Sequence, residues 1–404
     1  MARERSTPTA TGADESPRRS VFDLIYDPKA RGILLQLVLV FVIVAIGFEI
    51  VTNAITNLQK QNIASGFDFL GRTAGFDISQ TLIDYTNTSS YGRAFWVGLA
   101  NTLLVAGIGV VVATVIGFIV GIARLSSNWL IARMAGVYVE VVRNIPPLLM
   151  LFAIYFAVLK TLPMPRDSIV LPFSSYLNVR GLTVPMPVWQ GGIGFVVVAF
   201  FAALAGAIGL GVWASRRRVA TGKTFPSIRV GLGLIIGLPV IAFVAAGMPV
   251  SFNLPAVGRF NITGGLTLLP ELVALLVGLS LYTAAFIAEI VRAGIAGVSK
   301  GQKEAAAALG FSQGQVMHLV VIPQALRIII PPLTNQYLNL TKNSSLAVAI
   351  AYPDLVHVFA GTVLNQTNQA IEVILITMGV YLLISLVTSL FMNWFNARMA
   401  LVER

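Results

Sequence analysis

The sequence has no cysteine, so disulfides and thiol chemistry are excluded throughout its 404 residues. Histidine occurs only at His318 and His357, too few and too scattered for a metal cage, and no metal ligand set is expected. Charged residues make up 11% of the chain and hydrophobic residues 56%. A soluble protein carries roughly a quarter of its residues charged, so this shortage defines an integral membrane protein. A phosphate-binding loop is also missing. Gly222-Lys223-Thr224 has the end of that motif, but Arg217 stands where its first glycine is required. No other stretch completes it, so the chain does not hold ATP itself. No constellation supports covalent chemistry, and no catalytic residue is expected.

What the chain does have is long apolar runs. A helix of about 20 residues crosses a ~30 Å hydrocarbon core. Eight candidate spans follow, near 33–50, 94–123, 134–159, 192–214, 230–248, 269–295, 326–349 and 371–395. Residues 1–30 read as a disordered cytoplasmic tail, polar and without the basic, apolar and small-residue regions of a signal peptide. Gly109, Ala113, Gly117 and Gly121 recur every four residues, a face that lets another helix backbone approach closely. Pro146-Pro147 should kink or break the third span. Residues 160–190 are proline-rich and irregular, and 249–268 form a short polar connection.

Basic residues orient these spans. With the two termini on one side, that side collects 19 of the 28 Lys and Arg, against 7 in the opposite loops. The positive-inside rule makes the richer side cytoplasmic and puts both termini there. The net charge of +11 is thereby a membrane signature, and no nucleic acid partner is expected.

Residues 299–323, SKGQKEAAAALGFSQGQVMHLVVIP, are polar and sit between two apolar runs on the cytoplasmic side. Ser299 with Gln302, and Ser312 with Gln315, have capping-box spacing. An alanine-rich stretch from Glu304 ends at Gly310, where a left-handed helix stop puts glycine. The spacing predicts two short helices outside the bilayer, the second running to Pro323.

Glu304-Ala305-Ala306, Gly310 six residues after Glu304, and Ile322-Pro323 twelve further on resemble the EAA loop of bacterial ABC-importer permeases. The stretches 282–291 (YTAAFIAEIV), 292–294 (RAG), 323–326 (PQAL) and 342–346 (KNSSL) are similar to the polar amino-acid subgroup, and the resemblance includes 101–155. It implies an all-α membrane protein of about eight transmembrane helices, with a type I importer permease core. The core would occupy 94–395, containing a two-span insert at 160–268 and the coupling loop at 299–323. An extra N-terminal span and periplasmic loop would fill 31–93, and a cytoplasmic tail 396–404. The resemblance further implies that Glu304, Ala305, Ala306 and Gly310 dock into a separate ABC ATPase subunit, which binds the ATP; no cofactor sits on this chain. Its other implied partners are a second, different permease subunit, a periplasmic amino-acid-binding protein and membrane lipid. The process would be import of L-amino acids across the bacterial inner membrane.

The residues themselves leave the path open. Asn335, Asn339 and Asn343 recur every four positions and either line a path for a zwitterion or bridge helices by hydrogen bonds. Thr283 and Glu289 lie with Tyr282 and Phe286 on the sixth span. Glu289 either meets a substrate ammonium group or pairs with Arg292 one turn on. Glu140 and Arg143 have the spacing of a local ion pair. The rival reading is a secondary transporter driven by an ion gradient. It would need intramembrane acidic or histidine relays and paired repeat halves, and only Glu289 speaks for it.

Overall fold

The computed structural model describes residues 28–60, 66–223, 225–258 and 261–399. The expected disordered tail, up to residue 27, and the last five residues lie outside these. The chain divides into two units, Met1–Phe67 and Asp68–Arg404. The first holds helix α1 (Pro28–Lys60), whose 23-residue stretch Arg31–Asn53 contains an 18-residue window with a mean hydropathy of 2.8. That is long enough to cross a bilayer.

In the second unit, Ser90 opens α2 (Tyr91–Ala123) by accepting a hydrogen bond from the Arg93 backbone N–H. The small-residue face of α2 packs on α7 (Pro270–Ala296) as its spacing predicts. Gly109, Ala113, Gly117 and Gly121 are all buried. A Cβ at Gly117 would lie 2.6 Å from the Ile287 side chain, and one at Gly121 would lie 2.7 Å from the Ala288 carbonyl. Contacts that advance together along both helices make α2 and α7 parallel. The return stroke is α10 (Ile322–Asn343): Leu340 meets Gly109, and Leu355 beyond it meets Gly98. Ile287, Val291, Ala325, Ile329 and Leu333 fill the core between α7 and α10.

The third span is broken where the two prolines stand. Helix α3 (Trp129–Arg143) ends before them, and α4 (Pro147–Phe152) restarts with Pro147 in its first turn, where a missing N–H costs nothing. The chain bends by 109° between the two arms. The second arm lays Leu151 and Tyr155 against Leu275 and Leu279 of α7.

The connections expected to be irregular carry short strands. β1 (Ile169–Leu171), β2 (Ser175–Asn178), β3 (Gly181–Val184) and β8 (Leu266–Leu268) form one antiparallel sheet in that order. β4 (Met186–Trp189) pairs with β5 (Val250–Asn253), and β6 (Ala256–Val257) with β7 (Ile262–Thr263). These pairings clamp the start of α5 (Ile193–Thr221) and the end of α6 (Ser227–Ala245) to the N-terminus of α7. Among the described residues α5 and α6 pack chiefly on each other. At the β1–β2 tip Phe173 is 90% exposed with φ 59° and Ser174 follows at φ 52°, a conformation that disfavours a bulky side chain.

Helices α8 (Lys300–Ala308) and α9 (Gln313–Val316) follow α7, and α11 (Ala370–Met399) closes the described chain. Among the described residues, six helices are long and apolar enough to cross a membrane, seven with the bent α3–α4 pair. The shorter apolar stretch Arg229–Ala245 brings the segments to the expected number.

Candidate functional site

The hairpin between α7 and α10 forms much as its spacing predicts. The Ser299 hydroxyl accepts from the Gln302 N–H at 3.4 Å, while Ser312 and Gln315 form the full reciprocal capping box. Gly310 turns the chain at φ 84°, in the left-handed region. One expectation needs correction, because the second helix does not stop at Pro323. It widens into π turns over Met317–Val321 and continues into α10. Proline cannot bond to the carbonyl four residues back, here that of Leu319, and its ring crowds that group. A wider turn just upstream makes room, so helix and span are one element.

Ala306 is buried, whereas Glu304 and Ala305 are exposed. Leu309 at the tip is 77% exposed, with Phe311 beside it also exposed. The hairpin therefore presents an acidic residue, a small residue and two large apolar side chains.

A charged cluster sits at the same end of the bundle. Glu289 on α7 accepts from Arg124 at the end of α2, and Arg292 Nη2 donates to its Oε1 at 2.6 Å. Arg143 at the end of α3 reaches its Oε2 at 4.0 Å and lies 5.2 Å over the Phe286 ring. One carboxylate thus ties three helices together, and its lone pairs are occupied by guanidinium groups. The pairing with Arg292 exists, joined by two arginines distant in sequence. The expected Glu140–Arg143 pair is absent among the described residues. Glu140 is exposed and Arg143 turns instead to Glu289, where a partly buried carboxylate holds it better than an exposed one.

Asn335 and Asn339 are exposed on α10, and Asn343 is half-buried; no hydrogen bond from their amides occurs among the described residues. Within this chain they are not interhelical glue. Thr283, by contrast, is 3% exposed and packed inside the bundle.

At the opposite end a buried polar network joins residues that sequence spacing could not connect. Asn101 Nδ2 donates to the carbonyls of Gln80 and Pro353, and the Leu355 N–H donates to Thr102 Oγ1. Gln80 Nε2 donates to the Tyr352 hydroxyl. Asp354, fully buried in the connection after α10, accepts from the His357 N–H at 2.8 Å and the Tyr381 hydroxyl at 3.3 Å. Burial pushes its carboxyl up to about 7. Sequence reading passed over Asp354, although it is the only acidic residue between Glu304 and Glu372, in an otherwise apolar stretch. Such isolation is the signal that could have found it.

A bundle of spanning helices, a polar hairpin offered at one end and an unpaired amide face along one span suit a membrane permease. Residues 113–401 match the family described as binding-protein-dependent transport system inner membrane component, and the chain belongs to that family. It is accordingly a multi-pass inner-membrane protein. It is 54% identical to the general L-amino acid transport system permease protein AapQ of Rhizobium johnstonii, over 94% of this chain and 95% of that protein. It is 50% identical to the putative amino-acid ABC transporter permease protein YhdX of Escherichia coli K12, over 94% and 96%. It is 40% identical to the glutamate/glutamine/aspartate/asparagine transport system permease protein BztB of Rhodobacter capsulatus, over 94% and 96%. The ion-gradient reading finds no support in this family, and Glu289, its one residue, is occupied by arginines.

Proposed function

We propose that this chain is the permease subunit of an ATP-driven importer of L-amino acids, with ATP bound and hydrolysed on a separate subunit. The observation that carries the reading is the hairpin: its exposed Glu304, Ala305, Leu309 and Phe311 form a compact surface for a protein partner. Gly310 sets the turn between its helices, and Ala306 is buried on the inner side of α8. The excess of basic residues on that side supports a cytoplasmic hairpin and cytoplasmic termini. A periplasmic binding protein would then deliver the amino acid at the Asp354 end. The exposed asparagines of α10 suit a path shared with a second permease subunit, probed by a zwitterion through amide donors and acceptors. Thr283 and Glu289 have no direct part in this path; Glu289 holds the bundle end that carries the hairpin.

Gly310→Val and Glu304→Lys test the reading. Valine is strained in the left-handed region, and neither change touches a spanning helix. Both variants should insert normally, and co-purification of the ATPase, or its stimulation by loaded binding protein, should be lost. Normal stimulated hydrolysis and amino-acid uptake with both variants would overturn the assignment.

A further inference from the structure

The α5–α6 hairpin is a long apolar element with little packing on the bundle, and its charges are one-sided. Between Asp167 and Glu271 the sequence has no acidic residue. The far tip of the hairpin nonetheless carries Arg216, Arg217, Arg218, Lys223 and Arg229, all exposed. The ion pairs among the described residues all converge on Glu289, so none serves these cations. Helix α5 rises about 44 Å over its 29 residues, so its last turns stand clear of a ~30 Å hydrocarbon core. With the start of α5 at one membrane face, Arg216 would stand about 35 Å along the helix, at the depth of the lipid phosphates opposite.

Aromatic residues organise that tip. Arg217 lies 5.1 Å over the Trp213 ring, and Trp213 meets Phe225 edge-on at 5.4 Å. This stack braces the loop between the two helices and orients one guanidinium at the level where tryptophan favours the membrane interface. Next to it, an apolar groove runs between α5 and α6, floored where Gly211 and Gly231 lack side chains and walled by Ala207, Ile208 and Ile235. Ser227 lies at the loop end of the groove, the only hydroxyl in its lining.

We propose that this groove and the basic tip together form a binding site for one anionic phospholipid, with an acyl chain in the groove and the phosphate on the arginines. Five cations without a carboxylate call for an anion. The groove calls for that anion to carry a hydrocarbon chain, which an acidic protein segment or a free phosphate would not supply. The bound lipid would fasten to the bilayer a hairpin that its own chain holds mainly through the short strands. The site stands apart from the transport reading and does not depend on it.

The test is native mass spectrometry of the complete chain, given equal amounts of dioleoyl phosphatidylglycerol and dioleoyl phosphatidylcholine. Phosphatidylglycerol should be retained at least about tenfold better, since each basic side chain adds its own attraction. Arg216→Gln, Arg217→Gln and Arg218→Gln combined should remove most of that preference, and the corresponding lysine variant should keep it. Gly211→Leu, whose new Cβ meets nothing within 4 Å, should fill the groove and weaken retention about fivefold without unfolding the chain. Glycerophosphoglycerol, the headgroup without chains, should not displace the lipid. Equal retention of both lipids, unchanged retention in the glutamine and leucine variants, or full displacement by the headgroup alone would overturn the proposal. So would cross-linking of Lys223 to a subunit that excludes phosphatidylglycerol.

Discussion

The α2–α7–α10 bundle and the α5–α6 hairpin use the same small residues to opposite ends. In the bundle, Gly117 and Gly121 face a neighbouring helix so closely that a methyl group would collide with it. In the hairpin, Gly209, Gly211, Gly233 and Gly237 have nothing within 4 Å of an added Cβ, and Gly206 and Gly231 face the paired helix less tightly, at 3.0 Å from Leu234 and 3.4 Å from Ala207. Correspondingly, 56% of the most apolar window of α7 is buried and only 6% of that of α5. A glycine-rich membrane helix is therefore a packing surface only where a partner follows the same spacing. Otherwise it is a shallow groove open to lipid.

Gly117→Leu against Gly211→Leu puts this contrast under the greatest load. The first should cost about 3 kcal/mol or abolish a stable fold, as overpacking does. The second should stay within about 0.5 kcal/mol of wild type. Thermal unfolding in detergent compares them, and equal losses would erase the distinction between bundle and hairpin.

Next in size is the pH response of Asp354, which lies beside His357, Tyr352 and Tyr381 at one end of the bundle. An unfolded aspartate ionises near pH 4, whereas burial holds this one protonated up to about 7. The folded chain thus binds the extra proton, and this residue's contribution to stability falls as pH rises from about 4 to about 7, then levels. Asp354→Asn should flatten that part of a Tm-versus-pH curve. An unchanged slope would mean that the carboxyl is already ionised in the fold.

Glu289→Gln should have a smaller effect, about 1–2 kcal/mol, because it leaves three arginines facing one another but partly in reach of solvent. Arg143→Gln should cost less than about 0.5 kcal/mol, given its 4.0 Å separation and exposure. A larger loss for Arg143 than for Glu289 would reverse the order of the cluster.

Local chemistry made part of this architecture legible in advance. Capping spacing at Ser312 and Gln315, the stop at Gly310, the break at Pro146-Pro147 and the four-residue repeat on α2 each depend on neighbours within a turn or two. The strands at 169–189 were hidden for the opposite reason. They are three or four residues long, too short for alternation to register, and two of them, β3 and β4, pair across α5 and α6 with strands at 250–268. Arg124 meeting Glu289 and Asn101 meeting Pro353 are likewise products of tertiary packing between residues more than 160 apart. The asparagine repeat was visible, but only burial distinguished an open face from interhelical bonding, and only burial showed Thr283 of α7 packed inside the bundle.

The continuity of α9 with α10 has a mechanical consequence. From Gln313 to Asn343 the helical path is unbroken, a rod of roughly 46 Å at 1.5 Å per residue. A rod tilted by about ten degrees around its middle carries its two ends about 4 Å in opposite senses. Asn335, Asn339 and Asn343 lie toward one end and the Ser312 cap adjoins the other. No relay of side chains is then required between them.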